Sequence, residues 1–162
     1  MSPADLRPRA SVFDFDCTLA DMVPFFGLFP APHLMAVRDL PAWDAYHDAT
    51  AQAAPIDWVL ALARIEARSG HVVVVTARDE RWRAVTEAWL AAHPIPHTEL
   101  LMRAAGDQRH DAVVKADILT DLRTRFDVRL AVDDRPSVVD FWRASGVPTV
   151  HVPGWPAESE LR

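Results

Sequence analysis

The sequence predicts an α/β fold in which a mainly parallel sheet is flanked by helices. Short apolar runs typical of buried strands alternate, along the 162 residues, with stretches whose apolar residues recur at helical spacing. Strands separated by helices of this length indicate successive βαβ units. Two carboxylates one residue apart, Asp14 and Asp16, directly follow the first apolar run. They predict a site at the carboxyl edge of the sheet, where open α/β sheets bind ligands.

Each element follows from a local pattern. The second strand has four consecutive valines, and glycine or proline follows several of the helical patterns, as at Gly70, Pro94 and Gly146. The predicted strands cover residues 10–14, 71–76, 98–103, 128–132 and 148–152. The predicted helices cover residues 56–69, 80–92, 111–125 and 136–145.

Composition indicates one domain over residues 1–162, because about half of the residues are apolar and the chain is long enough for a single core. Apolar runs long enough for a membrane span are missing, and the N-terminal stretch lacks the apolar segment of a signal peptide. Cys17 is the only cysteine, which excludes an internal disulfide and favours a reducing, cytoplasmic location. The net charge of −6 argues against a protein that coats nucleic acid electrostatically, although local capture of a phosphate stays open.

Residues with catalytic chemistry recur where the strands end. Thr76 ends the second strand, Lys115 lies near the start of the helix after the third, and Asp133-Asp134 end the fourth. In a parallel sheet these positions share one edge. Carboxylate oxygens bind Mg²⁺, a threonine hydroxyl can hold a phosphoryl oxygen, and a lysine near a helix start adds positive charge.

These residues resemble a known set of motifs. Asp14-Phe15-Asp16-Cys17-Thr18, Thr76, Lys115 and Asp133-Asp134 are similar, in this order, to the four motifs of the haloacid dehalogenase (HAD) superfamily of phosphohydrolases. A narrower resemblance, over roughly residues 11–152, is to the 3′-phosphatase domain of bacteriophage polynucleotide kinase. It rests on Met102-Arg103 and on residues 106–115, 126–128, 132–135, 138–139 and 142–143. Nothing resembles the Gly-x-x-x-x-Gly-Lys-Ser/Thr motif of a kinase half.

The resemblance implies a role for each motif residue. Asp14 would be the nucleophile that forms an aspartyl-phosphate, and Asp16 would protonate the leaving oxygen and then activate water. Thr76 would hold phosphoryl oxygens, and Lys115 would neutralise the phosphate and Asp14. The implied Mg²⁺ ligands are Asp14, Asp16 (through its backbone carbonyl), Asp133 and Asp134.

The narrower resemblance adds candidate substrate-binding residues. These are Thr18, Arg78, Arg103 and Asp111; the arginines would contact phosphate or organise the pocket. Asp111 would orient Lys115 or Arg103, or it would simply cap its helix. Two features depart from the resemblance or add to it: Cys17 stands where glycine is usual, and residues 21–54 are expected to form a small helical lid. Trp43 in this insert is a candidate for substrate contact, whereas the other tryptophans are expected to pack, and the chain from Gly154 onward is expected to be loosely held.

Three functions are compatible with these features. The first is a Mg²⁺-dependent phosphomonoesterase that removes the 3′-phosphate from polynucleotide ends or nucleotides. The second is a phosphatase for free nucleotides or another small phosphorylated metabolite, which the acidic chain favours. The third is an inactive HAD-like binding module, which the competent residues at every catalytic position argue against. The expected partner is therefore a phosphorylated substrate, and no membrane association is expected.

Overall fold

A computed structural model describes residues 6–30 and 41–155 of the chain. The strands are β1 (Arg9–Phe13), β2 (Ala20–Asp21), β3 (Ala54–Pro55), β4 (His71–Asp79), β5 (Glu99–Arg103), β6 (Asp127–Asp133) and β7 (Thr149–His151). The α-helices are α1 (Pro41–Asp48), α2 (Asp57–Glu66), α3 (Arg83–Ala92), α4 (Asp111–Arg125) and α5 (Pro136–Ala144). Short 3₁₀ helices cover Val23–Leu28, Ala49–Gln52 and Glu80–Trp82.

The predicted parallel sheet is confirmed. It has five strands in the order β5-β4-β1-β6-β7, and every neighbouring pair is parallel. β4 runs to Asp79, beyond its predicted end at Thr76, because its pairing with β5 shifts register between these two residues. Asp79 then accepts a hydrogen bond from the backbone N–H of Arg81, so the predicted helix over residues 80–92 begins as a 3₁₀ turn.

The register brings the strand ends to one level. Phe13 of β1 pairs with Val74 of β4 and with Val132 of β6. The N–H of Asp14 donates to the carbonyl of Val132 at 2.9 Å, which continues this pairing past the end of β1. The candidate residues that follow these strands therefore share the carboxyl edge, as the parallel arrangement predicts.

Both faces of the sheet are covered. Val73 and Val75 of β4 pack with Leu122 of α4 and Trp142 of α5. Val72 and Val74 point to the opposite face and join the cluster formed with α2, α3 and the insert. A strand buried on both faces has no polar alternation, which explains the run of valines in the sequence.

The insert after β1 contains helical segments, as predicted, although residues 31–40 lie outside the described part of the chain. At its base β2 and β3 form an antiparallel pair, which periodicity did not predict. The ring of Phe29 lies 5.4 Å from that of Trp43 and 4.7 Å from that of Tyr46. This aromatic packing, rather than regular amphipathic helices, holds the described parts of the insert together.

Within the described ranges, no helix is both long and apolar enough to cross a membrane. The C-terminal end from Gly154 onward, which is expected to be loosely held, lies outside the described part of the chain beyond residue 155. Within the described part, the ring of Trp155 lies 6.1 Å from that of Phe29 and 6.3 Å from that of Phe26. Apolar contact with the insert holds this residue, and the sequence pattern around it carries no sign of that contact.

Candidate active site

A tight turn after β1 presents the first motif. The carbonyl of Phe15 accepts the N–H groups of Leu19 and Ala20, each at 3.0 Å. Within this turn Cys17 has a φ of +56°, in the left-handed region that favours glycine. This conformation explains why glycine is usual at the position, and a non-glycine residue there costs on the order of 1 kcal/mol. Burial raises the pKa of the Cys17 thiol, which keeps it protonated and a poor nucleophile.

Three carboxylates meet at the floor of the site. Oxygens of Asp14, Asp133 and Asp134 all lie within 4.8 Å of one another, and all three residues are buried. The Nζ atom of Lys115 donates to Asp14 Oδ1 at 2.6 Å and to Asp133 Oδ2 at 2.7 Å. Asp133 Oδ2 also accepts the indole N–H of Trp142 at 3.0 Å. Asp133 is therefore held mainly by protein donors.

The charges in this cluster strongly perturb one another. Burial is the main cause that raises the pKa of Asp14 to about 8; Lys115 opposes the rise, and Asp133 and Asp16 add to it. Burial also raises the pKa of Asp134 well above its ordinary value, with the charge of Asp14 as the next cause. Burial alone would lower the pKa of Lys115, but Asp133 and Asp14 outweigh it, so the pKa is raised and the ammonium stays charged.

The donor set fits a divalent cation. Asp134 Oδ2 is buried and has no hydrogen-bond partner among the described residues, whereas Oδ1 accepts the Thr18 hydroxyl at 3.3 Å. A buried carboxylate oxygen without a partner is costly unless a cation or proton occupies it. The cleft is lined by six carboxyl groups and four cationic side chains, so with every carboxyl group ionised it carries an excess of two negative charges: Asp14, Asp16, Asp79, Asp111, Asp133 and Asp134 against Arg78, Arg103, Lys115 and Arg135. A hard divalent ion with oxygen ligands would offset that excess.

Arg78 fixes the second carboxylate of the motif. Its guanidinium donates to Asp16 Oδ2 at 3.0 Å and to Oδ1 at 2.6 Å, and a third N–H donates to Thr86 Oγ1 at 3.1 Å. The same group lies 4.7 Å above the ring of Phe15. Arg78 therefore organises the pocket by holding Asp16. The Asp16 side chain lies outside the three-carboxylate group, and a metal contact through its backbone carbonyl stays a prediction.

The two threonines occupy different positions. Thr76 lines the cleft, and its hydroxyl accepts the N–H of Arg78 at 3.1 Å. Thr18 is fully buried and donates to Asp134, so its hydroxyl orients a carboxylate. The contact of Thr76 with phosphoryl oxygens stays a prediction. Direct contact of Thr18 with a substrate stays a prediction.

Arg103 is bound mostly by backbone carbonyls. It donates to the carbonyls of Ala77 at 2.7 Å, Asp107 at 3.1 Å and Arg109 at 2.6 Å, and it is 1% exposed. It also donates to Asp111 Oδ1 at 2.5 Å. These bonds tie the end of β4 to the loop before α4, so Arg103 organises the rim of the cleft.

Asp111 joins two arginines. One oxygen accepts from Arg103, and the other forms an ion pair with Arg135. The side chain of His110, rather than that of Asp111, caps α4 by accepting the N–H of Ala112. Of the predicted roles for Asp111, orientation of Arg103 is the one that these contacts support, because Lys115 is held by Asp14 and Asp133 instead.

One cationic side chain and most of the aromatic side chains that line the cleft were not predicted from the sequence. Arg135 directly follows the aspartate pair of the fourth motif, and no role is predicted for it from the sequence. The cleft is bordered by aromatic side chains from the insert, from the 3₁₀ turn after β4 and from the C-terminal segment, namely Phe29, Trp43, Tyr46, His47, Trp82 and Trp155. Trp43 was predicted as a contact candidate. For Phe29, Tyr46 and His47, the density of aromatic residues in the insert is the sequence feature that indicates such a role.

The parallel sheet, with the four motifs at its carboxyl edge, defines a HAD-type phosphatase. The sequence profile of the polynucleotide kinase PNKP phosphatase domain matches residues 8–154, and the chain belongs to this family. Phosphatases of the HAD class generally use a divalent metal, and the three-carboxylate group is a suitable site for one.

Solved structures agree with this assignment. A chain of the Pnkp1/Rnl/Hen1 complex superimposes with a TM-score of 0.74 and 25% identity, over 97% of this chain and 51% of that one. A chain of the Pnkp1/Rnl/Hen1 RNA repair complex gives 0.73 and 27%, over 92% and 44%. The HAD-like hydrolase SP0104 from Streptococcus pneumoniae shares the fold, with a TM-score of 0.64 and 15% identity over 88% and 83%. The present chain spans about half the length of the Pnkp1/Rnl/Hen1 chains it matches.

Proposed function

We propose that this protein is a Mg²⁺-dependent phosphomonoesterase that removes the 3′-phosphate from polynucleotide ends or nucleotides through an aspartyl-phosphate intermediate. One observation carries the proposal: Asp14 lies at the cleft floor between Lys115 and the aspartate pair, with the fixed carboxylate of Asp16 beside it. In this proposal the nucleophile, a positive charge and a proton-transfer group surround one position.

In the first step an oxygen of Asp14 attacks the phosphorus of the substrate. The bond between phosphorus and the leaving oxygen breaks, and that oxygen takes a proton from Asp16. Lys115 stays protonated throughout and stabilises the negative charge that develops on the phosphoryl oxygens. Thr76 orients these oxygens from the end of β4.

In the second step the phosphoryl group leaves Asp14. Asp16 removes a proton from a water molecule, the water oxygen attacks the phosphorus, and the bond to Asp14 breaks. Asp16 thus returns to its protonated form, which completes the cycle. Arg78 holds Asp16 in one orientation for both transfers through its two hydrogen bonds.

Asp14 and Asp134 are the side chains best placed to hold Mg²⁺, because Asp134 Oδ2 is unoccupied by any donor of the described residues. Asp133 lies in the same group but already accepts from Lys115 and Trp142. Asp133 and the Asp16 carbonyl complete the proposed set. When bound, the ion supplies the positive charge that lets a phosphate dianion approach the carboxylates.

The polynucleotide substrate is supported by family membership and by the cleft. The matched relatives include a chain of an RNA repair complex. In this proposal residues 21–54 act as a lid that is small enough to leave the cleft open to a polymer. The residues that organise the substrate-binding rim are Thr18, Arg78, Arg103 and Asp111. The net charge of −6 favours the second candidate, a phosphatase for free nucleotides or other small metabolites.

A substrate panel tests the proposal. Phosphate release in Mg²⁺ is measured on one oligonucleotide carrying either a 3′- or a 5′-phosphate, and on the matching 3′- and 5′-mononucleotides. We expect the highest kcat/KM on a 3′-phosphorylated substrate. Preference for the 5′-mononucleotide over every 3′-phosphorylated substrate would establish the second candidate instead.

A further inference from the structure

Trp155 borders the catalytic cleft although it lies just beyond the family match, which ends at residue 154. Its half-buried ring lies 4.6 Å from the guanidinium carbon of Arg135. Arg135 directly follows the aspartate pair, and its N–H donates to Asp133 Oδ1 at 3.3 Å. Trp155 is therefore separated from the carboxylate cluster by the length of one arginine side chain.

The insert contributes the other side of this feature. The ring of Phe29 lies 6.1 Å from that of Trp155 at 41°, and Phe29 also borders the cleft. Both rings are only half-buried, in contrast to the buried Trp43, Tyr46 and Trp82 that line the cleft more deeply. Two half-buried aromatic surfaces thus border the mouth of the same cleft that Asp14 lines.

The charges around the mouth favour an uncharged aromatic ligand there. The cationic side chains of the cleft are engaged by carboxylates: Arg78 by Asp16, Lys115 by Asp14 and Asp133, and Arg135 by Asp111. An acidic protein with such a cleft gains little affinity from the phosphates of a nucleic acid chain. Stacking on aromatic side chains supplies affinity that does not depend on net charge.

We propose that Trp155 and Phe29 form a platform on which the nucleobase of the terminal, phosphate-bearing nucleotide stacks. This inference rests on the proposed function, because it assigns the leaving group of that reaction to a nucleoside. The base contributes binding energy at a distance from the reacting phosphorus, so the platform selects nucleotides over other phosphomonoesters. Because a base is recognised by its face, the platform discriminates little among the four bases.

The test asks whether the effect of removing the Trp155 side chain depends on the presence of the terminal base. Wild-type protein and Trp155→Ala are compared on a 3′-phosphorylated oligonucleotide, on the same oligonucleotide with an abasic 3′-terminal nucleotide, and on p-nitrophenyl phosphate. We expect Trp155→Ala to lower kcat/KM about ten-fold to a hundred-fold on the first substrate. On the abasic substrate and on p-nitrophenyl phosphate the change is expected to stay within about two-fold.

Two variants separate stacking from loss of structure. Trp155→Phe keeps an aromatic face and is expected to retain most of the activity on the base-containing substrate. Trp58→Ala removes a tryptophan that is 49% exposed on α2, and we expect it to match wild type on every substrate. A Trp155→Ala variant that loses the same factor on the base-containing and abasic substrates would overturn the platform, whatever its melting temperature.

A binding measurement makes the result independent of turnover. The Asp14→Asn protein is titrated with a 3′-phosphorylated oligonucleotide whose terminal base is 2-aminopurine, the fluorescence of which is quenched on stacking. We expect the Asp14→Asn protein to quench this fluorescence and the double variant Asp14→Asn/Trp155→Ala not to do so. Equal quenching by both proteins would refute the platform. If wild-type protein left 3′-phosphates in place while this quenching appeared, the proposed reaction would fail and the base site would stand.

Discussion

The Nζ atom of Lys115 lies 2.6 Å from Oδ1 of Asp14, although the two residues are 101 positions apart in the chain. Lys115 belongs to α4 and Asp14 follows β1, so the pair forms only when the sheet and its covering helix are complete. Both groups are buried, and the positive charge of Lys115 opposes the rise that burial causes in the pKa of Asp14. The surroundings of Asp14, the proposed nucleophile, therefore depend on the packing of α4 against the sheet.

The unpartnered oxygen of Asp134 leads to a prediction about metal binding. EDTA is expected to stop phosphatase activity and Mg²⁺ to restore it. Asp134→Asn is expected to raise the Mg²⁺ concentration for half-maximal activity at least about ten-fold, because it removes a charged ligand. Titration of activity and of melting temperature with Mg²⁺ measures both effects.

Asp140→Asn is the matched control for this titration, since Asp140 lies on α5 and its side chain is 79% exposed. It should behave like wild type. Full activity in EDTA, or an unchanged Mg²⁺ requirement in Asp134→Asn, would exclude the proposed metal site.

The raised pKa of Asp14 predicts how stability depends on pH in metal-free protein. Burial is the main cause that moves this pKa from 3.8 to about 8, so between these values the folded protein holds a proton that the unfolded chain has released. The free energy of unfolding therefore falls as pH rises through this range. Asp14→Asn removes the group, so its melting temperature relative to wild type is expected to increase from about pH 5 to about pH 8.

Thermal unfolding in EDTA at several pH values measures this difference, again with Asp140→Asn as the control. A difference between Asp14→Asn and wild type that stays constant with pH would argue that Asp14 titrates normally in the folded protein.

The sequence predicted the sheet and the motif positions, because buried strands and superfamily motifs depend on local patterns. It did not predict the partners within the site. That Arg78 pairs with Asp16, and that Asp111 holds Arg103 and not Lys115, depends on side-chain packing between distant elements. Trp155 was missed for the same reason, since only the folded insert places aromatic rings next to it.

Arg103 is expected to matter for stability. Arg103→Ala leaves Asp111 without its buried partner and three backbone carbonyls without this donor, and we expect a loss of about 3–5 kcal/mol in the free energy of unfolding. Arg109→Ala is the control, because that side chain is 53% exposed and its guanidinium pairs with Asp107 and Asp117. Urea unfolding of both variants measures the change in the free energy of unfolding.

If Arg103→Ala proved as stable as Arg109→Ala, its role as an organiser of the loop before α4 would be refuted. Should a folded Arg103→Ala variant lose more activity on an oligonucleotide than on p-nitrophenyl phosphate, the original prediction of a substrate contact would be supported.

The backbone of Cys17 gives a prediction about the first motif. Cys17→Gly relieves a left-handed conformation but removes a buried side chain, so we expect stability within about 1 kcal/mol of wild type and full activity. Cys17→Val adds a β-branched side chain at positive φ and is expected to lose at least about 2 kcal/mol. Loss of activity in Cys17→Gly with stability retained would indicate a chemical role for the thiol.

The most direct test of the central claim is the turnover rate of Asp14→Asn in saturating Mg²⁺, on p-nitrophenyl phosphate and on a 3′-phosphorylated oligonucleotide. Because the proposed reaction passes through a bond from Asp14 to phosphorus, we expect kcat to fall at least about a thousand-fold on both substrates while circular dichroism stays that of wild type. A folded Asp14→Asn protein that kept a tenth or more of the wild-type rate on either substrate would contradict the account.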